Sequence, residues 1–202
     1  MRTVARTPER PTIVPLTPER WPDLEGLFGR SGAAYGCWCM DFRRTASEMS
    51  RSTAADNKAD LARLAATEPA PGLLAYHGGE AVGWVGLGPR VSFARLMRSR
   101  TLTAVDDVPT WSIVCFFIAR ARRGQGVAIA LLDGAVAYAQ AARAPAIEGY
   151  ARDAGHDRLD ADRAYPGTVT LFARAGFREV ARYAPAGRGP DRVTMRKDLA
   201  ET

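Results

Sequence analysis

The sequence predicts one α/β domain, and three observations support this fold class. The chain has 202 residues, of which 47% are hydrophobic, so it is long enough to bury one substantial core. Short runs with strand character alternate with segments of helical period along the chain. One almost wholly apolar run, residues 111–118, precedes a glycine-rich turn and a long helical segment. A buried strand that leads into a helix is typical of α/β domains.

The N-terminal part of the chain predicts a tail, a strand and a helix. Residues 1–10 are polar and interrupted by proline, which indicates a loose tail ahead of a single domain at 11–202. A short strand is expected at 12–16. Thr17-Pro18-Glu19 then supplies a helix N-cap, a proline at the first helical position and an acid, so a helix should run to about Gly29.

The middle and C-terminal parts predict the remaining elements. The glycine-, aromatic- and cysteine-bearing stretch at 29–52 fits neither period, and we expect a partly helical loop there. The turn His77-Gly78-Gly79-Glu80 separates two apolar runs and predicts a β-hairpin. We expect helices at 54–66, 91–98, 127–143 and 167–175, and strands at 72–76, 81–87, 111–118, 146–151, 177–183 and 191–197.

Composition excludes several classes of protein. No run approaches the roughly 18 consecutive apolar residues of a membrane span, and the N-terminus lacks the apolar region of a secretion signal, so we expect a cytoplasmic protein. Three cysteines in such a chain favour reduced thiols over disulfides. The net charge of +6 comes almost wholly from arginine, but acids are interleaved with it throughout. That pattern allows nucleic-acid binding without favouring it.

The turn after the apolar strand carries the main functional signal. Strand, turn and helix follow one another directly, so the first backbone N–H groups of the helix should point outward and form an anion site suited to a diphosphate. Gly124 and Gly126 allow the backbone to approach the phosphates closely. Arg122 and Arg123 add positive charge beside them.

These residues resemble the phosphate-binding signature of the GNAT N-acetyltransferases, (Arg or Gln)-x-x-Gly-x-(Gly or Ala). Arg123-Gly124-Gln125-Gly126-Val127-Ala128 matches it at all specified positions, and Leu171-Phe172-Ala173-Arg174-Ala175-Gly176-Phe177 resembles the family's helix-to-strand junction. The resemblance spans roughly Thr12 to Leu199. It implies a mixed, mostly antiparallel sheet with a splayed central strand pair and flanking helices.

The resemblance also implies a function. The donor would be acetyl-CoA and the acceptor a primary amine, on a small molecule or a peptide, with direct acetyl transfer and no metal. The turn residues Arg122, Arg123, Gly124, Gln125, Gly126, Val127 and Ala128 would hold the diphosphate, and the backbone of Phe116, Phe117 and Ile118 would hold the pantetheine arm. A homodimer is left open. The alternative is an acyl-CoA-binding regulatory domain or pseudo-enzyme without catalysis.

The catalytic residues of this chain depart from the family pattern. Family members often use a glutamate as base and a tyrosine before Gly-Phe as acid, but here Phe172 occupies the tyrosine position and Ser112 the usual glutamate position. Tyr165 is the favoured replacement for the acid, or it is a packed aromatic at a helix start. Glu148 is a candidate base or a solvent-facing strand residue. Tyr150 and Asp153 stand nearby as further candidates.

A second feature is the segment Tyr35-Gly36-Cys37-Trp38-Cys39-Met40. A Cys-Trp-Cys-Met stretch resembles that of a GNAT-like subgroup. The region after the first helix lines the acceptor side of the cleft in this family, so Tyr35, Trp38 and Met40 would shape the acceptor pocket. The equal alternative is that Trp38 and Met40 cap the core. Cys37 and Cys39 have the wrong separation for a zinc knuckle, so no metal site is expected.

Overall fold

The computed structural model describes residues 10–153, 165–184 and 189–199, and its centre is one seven-stranded sheet. The strands are β1 (Thr12–Pro15), β2 (Gly72–His77), β3 (Glu80–Pro89), β4 (Thr110–Ile118), β5 (Ala146–Asp153), β6 (Arg178–Tyr183) and β7 (Asp191–Asp198). Their order across the sheet is β1-β2-β3-β4-β5-β7-β6. Every neighbouring pair is antiparallel except β4 and β5, which run parallel. This is the mixed, mostly antiparallel α/β fold that the sequence predicts.

Six α-helices flank the sheet in the described residues. They are α1 (Trp21–Phe28), α2 (Ala46–Arg51), α3 (Ala54–Leu64), α4 (Ala94–Met97), α5 (Val127–Ala141) and α6 (Val169–Arg174). Short 3₁₀ turns precede α1, α4 and the glycine-rich turn, at Pro18–Arg20, Arg90–Ser92 and Arg120–Arg122. None of the described helices combines the length and the apolar character that a bilayer span requires.

The helix α2 lies inside the stretch that the sequence analysis treats as a partly helical loop. Its N-terminus is a capping box, in which the Thr45 side chain accepts from the Glu48 N–H and the Glu48 carboxylate accepts from the Thr45 N–H. Thr53 and Asp56 form the same arrangement at the start of α3. Capping therefore defines these helix starts, whereas the short polar α2 buries no residue.

Each face of the sheet carries its own core. On one face, α5 and α6 cover Val85, Ile113 and Ile147. On the other, α1 and the loops around it cover Trp84 and Tyr150, both of which are fully buried. The strands β3 and β4 are buried on both faces, as the apolar run at 111–118 predicts.

The parallel strands β4 and β5 separate after a short paired region. Thr110–Ile113 pairs with Ala146–Gly149, and beyond these residues the segment Tyr165–Thr168 lies between the two strands. The Phe116 N–H donates to the Tyr165 carbonyl at 2.6 Å, and the Arg152 N–H donates to the Gly167 carbonyl at 3.0 Å. The gap between the strand ends opens one wall of a large cavity.

Candidate functional site

A cavity of about 1040 Å³ lies at the open end of the gap between β4 and β5. Its volume suits a drug-sized or larger ligand. Four parts of the chain line it: the loop and α2 (Ala33, Ala34, Tyr35, Cys37, Cys39, Asp41, Phe42, Met49), β4 (Val114, Cys115, Phe116, Phe117, Ile118), the glycine-rich turn and α5 (Arg123, Ala128), and the segment into α6 (Tyr165, Gly167, Thr168, Leu171). The cavity therefore connects the turn to the cysteine-bearing segment.

The glycine-rich turn forms an open cradle at the start of α5. Gly124 and Gly126 have φ of 75° and 81°, in the left-handed region that favours glycine. Gly126 is the N-cap, no side chain caps the helix, and the first helical hydrogen bond joins the Ala130 N–H to the Gly126 carbonyl at 3.1 Å. The amides before Ala130 are thus available to an anion.

Little protein occupies the space where side chains on these glycines would lie. A Cβ added to Gly124 would meet no atom within 4 Å, and one added to Gly126 would meet only Ile129 Cγ2 at 3.9 Å. By contrast, a Cβ on Gly83 of β3 would lie 2.8 Å from Val127 Cγ1, so α5 packs closely on the sheet. The start of α5 is therefore packed closely on the sheet, while the space beside Gly124 and Gly126 stays open.

Side chains of the turn hold its own backbone. Arg123 Nε donates to the Ile118 carbonyl at 3.2 Å, and Gln125 Nε2 donates to the Ala121 carbonyl at 2.8 Å. Arg123 also lines the cavity, whereas the half-buried Arg122 is not part of its described lining. The positive charge at the mouth of the cavity thus comes from Arg123.

The resemblance assigns three β4 residues to the pantetheine arm. Their backbone N–H and C=O groups point to different sides of the strand. Phe117 is paired with Trp84 of β3, whereas strand alternation directs the backbone groups of Phe116 and Ile118 away from β3. The Phe116 N–H is already donated to the Tyr165 carbonyl. The Ile118 N–H is therefore the amide on the open edge nearest the turn.

Tyr165 and Asp41 meet in the lining of the cavity. The Tyr165 hydroxyl donates to Asp41 Oδ2 at 3.4 Å, and Arg95 forms an ion pair with the same oxygen at 2.6 Å. Burial, followed by the negative charge of Asp41, raises the pKa of Tyr165 to about 12. Residues distant in sequence thus bring a carboxylate and a phenol to one wall.

The structure does not place Glu148 and Ser112 at the cavity. The Glu148 side chain is 1% exposed, and its Oε1 accepts from Arg196 Nη2 at 2.8 Å and from Arg196 Nε at 3.0 Å. Ser112 is fully buried, with its Oγ 2.8 Å from the Tyr150 hydroxyl. Both residues belong to a polar cluster beneath the cavity, which corrects their expected place in the catalytic centre.

This cluster balances its own charges. Arg90 Nη1 lies 3.7 Å from Glu148 Oε2 and donates to the Tyr150 hydroxyl at 2.6 Å. Arg196 also binds Asp106 through two hydrogen bonds of 2.5 and 3.0 Å. Burial, followed by the charge of Glu148, raises the pKa of Tyr150 above its ordinary value. Two guanidiniums face two carboxylates, and a neutral phenol sits between them.

The cysteine-bearing segment alternates between cavity and core. Tyr35 lines the cavity and is 90% exposed. Trp38 and Met40, which the sequence analysis assigns to the acceptor pocket, are instead 6% and 5% exposed and belong to the core. Trp38 stacks on Trp21 with ring centroids 5.8 Å apart. These are the core contacts of the alternative interpretation.

Three residues that neighbour Trp38 and Met40 in the sequence face the cavity instead. Cys37, Cys39 and Asp41 line it. All three cysteines are free thiols, and the Sγ atoms of Cys39 and Cys115 lie 3.2 Å apart. A hydrogen bond with Cys115, together with burial, raises the pKa of Cys39. No group of three or more potential metal-ligating side chains is found among the described residues.

Phe172, at the usual position of the family's proton donor, is fully buried. Its ring packs edge-on against Phe116 and Phe177, with centroids 6.1 and 5.2 Å away. A Cβ on Gly149 or Gly167 would lie 2.1 and 2.6 Å from its ring atoms. The ring therefore fixes α6 against β5.

Asp41 is the carboxylate of the cavity lining, and sequence reasoning missed it. It directly follows the Cys-Trp-Cys-Met stretch, but that segment is not a strand, so no periodicity in the sequence could have found it. Four non-glycine residues between α1 and α2, Ala33, Tyr35, Trp38 and Cys39, have φ between 44° and 70°. Such conformations are held only by surrounding structure and cluster at functional sites.

Comparison with known proteins agrees with this geometry. The family model described as "Acetyltransferase (GNAT) family" matches residues 38–177, more than half of the chain. No curated protein sequence matches significantly.

Solved structures share the fold at low sequence identity. A phosphinothricin acetyltransferase from Sinorhizobium meliloti, solved in complex with AcCoA, is 16% identical with a TM-score of 0.58, and the match covers 96% of this chain and 90% of that one. An N-acetyltransferase from Staphylococcus aureus Mu50 is 14% identical with a TM-score of 0.58, covering 95% and 100%. A protein from Corynebacterium glutamicum described as histone acetyltransferase HPA2 and related acetyltransferase is 22% identical with a TM-score of 0.56, covering 95% and 98%.

Proposed function

The chain belongs to the GNAT family of acetyltransferases, and from this premise we propose that it moves an acetyl group from acetyl-CoA directly to a primary amine. One observation carries the proposal: a single cavity joins an uncapped helix N-terminus with open glycines to a wall that bears a carboxylate. The first end suits a diphosphate, and the second suits a cationic amine.

Donor binding would use the turn and the free edge of β4. The amides of Val127, Ala128 and Ile129 and the side chain of Arg123 would hold the diphosphate, with Gly124 and Gly126 permitting its close approach. Arg122 adds positive charge to the turn without lining the cavity. The Ile118 N–H would hold the pantetheine arm, because Phe116 and Phe117 donate elsewhere. The thioester would then lie near Cys115 and Tyr165.

The acceptor would enter beside Asp41. Its carboxylate attracts an ammonium group and can receive the proton that the nitrogen must lose before attack. As the C–N bond forms, the C–S bond breaks and coenzyme A leaves as a thiolate. Arg95 and Tyr165 hold Asp41 Oδ2 in place. We assign Asp41 rather than the buried Glu148 to this role.

Tyr165 suits a positioning role better than that of an acid. An alkyl thiol has a pKa of about 8.5, whereas the pKa of Tyr165 is raised to about 12. Proton transfer from this phenol to the thiolate would therefore be unfavourable by about three pKa units. The thiolate is already a fair leaving group. We therefore expect it to leave without a dedicated acid.

A non-catalytic acyl-CoA-binding protein is the second candidate. Phe172 stands at the family's usual tyrosine position, and Glu148 and Ser112 are tied into a structural cluster. The chain therefore lacks the family's usual acid and base, while the residues of the proposed donor site are unaffected. Catalysis and binding must therefore be measured separately.

Release of coenzyme A thiol with a panel of primary amines tests the proposal. We expect amine-dependent release by the native protein and a loss of at least about a hundredfold in Asp41→Asn, because a general base contributes typically 10² to 10⁴ in rate. Asp133→Asn, which changes an acid on the exposed side of α5, is the matched control. Tight acetyl-CoA binding without thiol release for any amine would favour the second candidate.

A further inference from the structure

One face of the β5–β7 strand pair carries three cross-strand pairs: one of opposite charges, one uncharged and one of like charges. Glu148 lies opposite Arg196, Tyr150 opposite Thr194, and Arg152 opposite Arg192. The first pair is an ion pair of opposite charges. The last pair places two guanidiniums side by side, where like charges destabilise a sheet. Such a pair needs an explanation in the structure around it.

Neither guanidinium of this arginine pair is neutralised by a carboxylate in the described part of the chain. The acids of the next cross-strand pair, Asp153 and Asp191, point to the other face and bind Arg182 there at 2.7 and 3.1 Å. The Nε of Arg152 is buried without a hydrogen-bond partner. The Oγ1 of Thr194, a fully buried residue on the same face, is also buried without a hydrogen-bond partner. Buried polar atoms without partners are rare in native proteins.

The arginine pair adjoins one wall of the cavity through the bridge between Arg152 and Thr168, but neither arginine is among the described lining residues. The charges of Arg152 and Arg192 act on Tyr165, which lines the cavity, and the Arg152 N–H donates to Gly167 of the same wall. Burial, followed by the charge of Arg152, lowers the pKa of Arg192. The charge of Asp41 also acts on Arg192, but Asp41 is already paired with Arg95. Arg192 therefore has no ion pair of its own among the described residues.

We propose that Arg152 and Arg192 bind an anionic group of the acceptor, a carboxylate or a phosphate, while its amine faces Asp41. Guanidiniums bind both groups through paired hydrogen bonds, and a bound anion would neutralise the pair and satisfy the buried Nε. The inference rests on the proposed function and names the class of acceptor. Amines that carry an acidic group would be selected over neutral amines of the same shape.

Matched acceptors test the selection. The carboxylate arm compares phenylalanine with phenethylamine, and the phosphate arm compares O-phosphoethanolamine with ethanolamine. In at least one arm we expect the anionic member to have a kcat/KM about 10- to 100-fold higher, the range given by one charge-assisted contact. The arm that shows the preference identifies the anion. Equal or better use of both neutral amines would overturn the proposal.

Arg192→Gln removes one half of the site. The variant should fold, because it relieves repulsion with Arg152, and it should lose the preference while its affinity for acetyl-CoA stays native. Arg178→Gln, an arginine of the same sheet that is exposed and paired with Asp198, is the control and should keep the preference. If Arg192→Gln keeps the preference, or loses acetyl-CoA affinity, the proposal is wrong.

A binding measurement separates this proposal from the proposed function. Thermal stabilisation by N-acetylphenylalanine and O-phosphoethanolamine, with N-acetylphenylalaninamide and ethanolamine as their neutral partners, requires no catalysis. We expect at least one anion to stabilise the native protein and Arg178→Gln, but not Arg192→Gln. This result in a protein without transferase activity would keep the anion site and overturn the function. If neither anion stabilises the protein but acetyl transfer is normal, the anion site is wrong and the proposed function stands.

Discussion

Replacing Glu148 with glutamine is the sharpest test of its role. The substitution keeps the shape of the side chain but removes the charge that neutralises Arg196 and faces Arg90. Because Glu148 is 1% exposed, water cannot replace the lost charge. We expect the variant to lose stability rather than a catalytic base.

The contacts of Arg196 set the size of this loss. Breaking a buried ion pair by removing one partner costs about 3–5 kcal/mol. Arg196 keeps both hydrogen bonds to Asp106, so the lower end, about 3 kcal/mol, is expected. In a domain of this size such a loss lowers Tm by about 6–12 °C.

Urea unfolding followed by circular dichroism measures the effect. Glu179→Gln is the matched control, because Glu179 pairs with Arg182 at 2.7 Å but is 41% exposed, and exposed pairs contribute about 0–1 kcal/mol. Acetyl transfer is measured in parallel on the folded protein. Native stability of Glu148→Gln together with a large loss of kcat would refute this reasoning and make Glu148 a base.

Three further predictions follow from single contacts. Trp38→Ala should lower the free energy of unfolding by about 3–5 kcal/mol and leave the acetyl-CoA affinity of the folded protein unchanged. A stable variant with a raised acceptor KM would instead show that Trp38 lines the acceptor pocket. Tyr165→Phe should lower kcat less than about tenfold, whereas a loss of a hundredfold or more would identify Tyr165 as the acid. The hydrogen bonds from Arg196 lower the pKa of Asp106, so the stabilisation is complete above its unfolded pKa of about 3.9 and is lost as pH falls through the lower folded value. In urea titrations below about pH 4, Asp106→Asn should therefore lose less stability than the native protein, and parallel losses would contradict this.

Local features of the fold were predictable from the sequence. The apolar run of β4 and the period of α5 both reflect burial, which repeats along the chain at fixed spacing. The turn between them is marked by Gly124 and Gly126, whose positive φ excludes most other residues. The strand, turn and helix of the proposed donor site were therefore predictable from the sequence.

The proposed acceptor side and the polar cluster around Glu148 were less predictable because they depend on distant contacts. Tyr165 reaches Asp41 across 124 residues, and Arg196 reaches Glu148 across 48. A carboxylate in the sequence does not reveal whether a guanidinium will be its partner, so Glu148 could be read as a base. The order of cavity and core residues around Trp38 depends on left-handed backbone conformations that no period predicts.

Calorimetric binding of acetyl-CoA to Gly126→Glu tests the central claim most directly. The new side chain would place a negative charge and extra atoms where the diphosphate should lie. Gly79→Glu is a matched control, because Gly79 in the β2–β3 turn has φ of 83° and equally open surroundings, so both variants carry similar backbone strain of about 1–2 kcal/mol. We predict no measurable binding by Gly126→Glu and native affinity in Gly79→Glu. A folded Gly126→Glu that binds acetyl-CoA with native affinity would contradict the account.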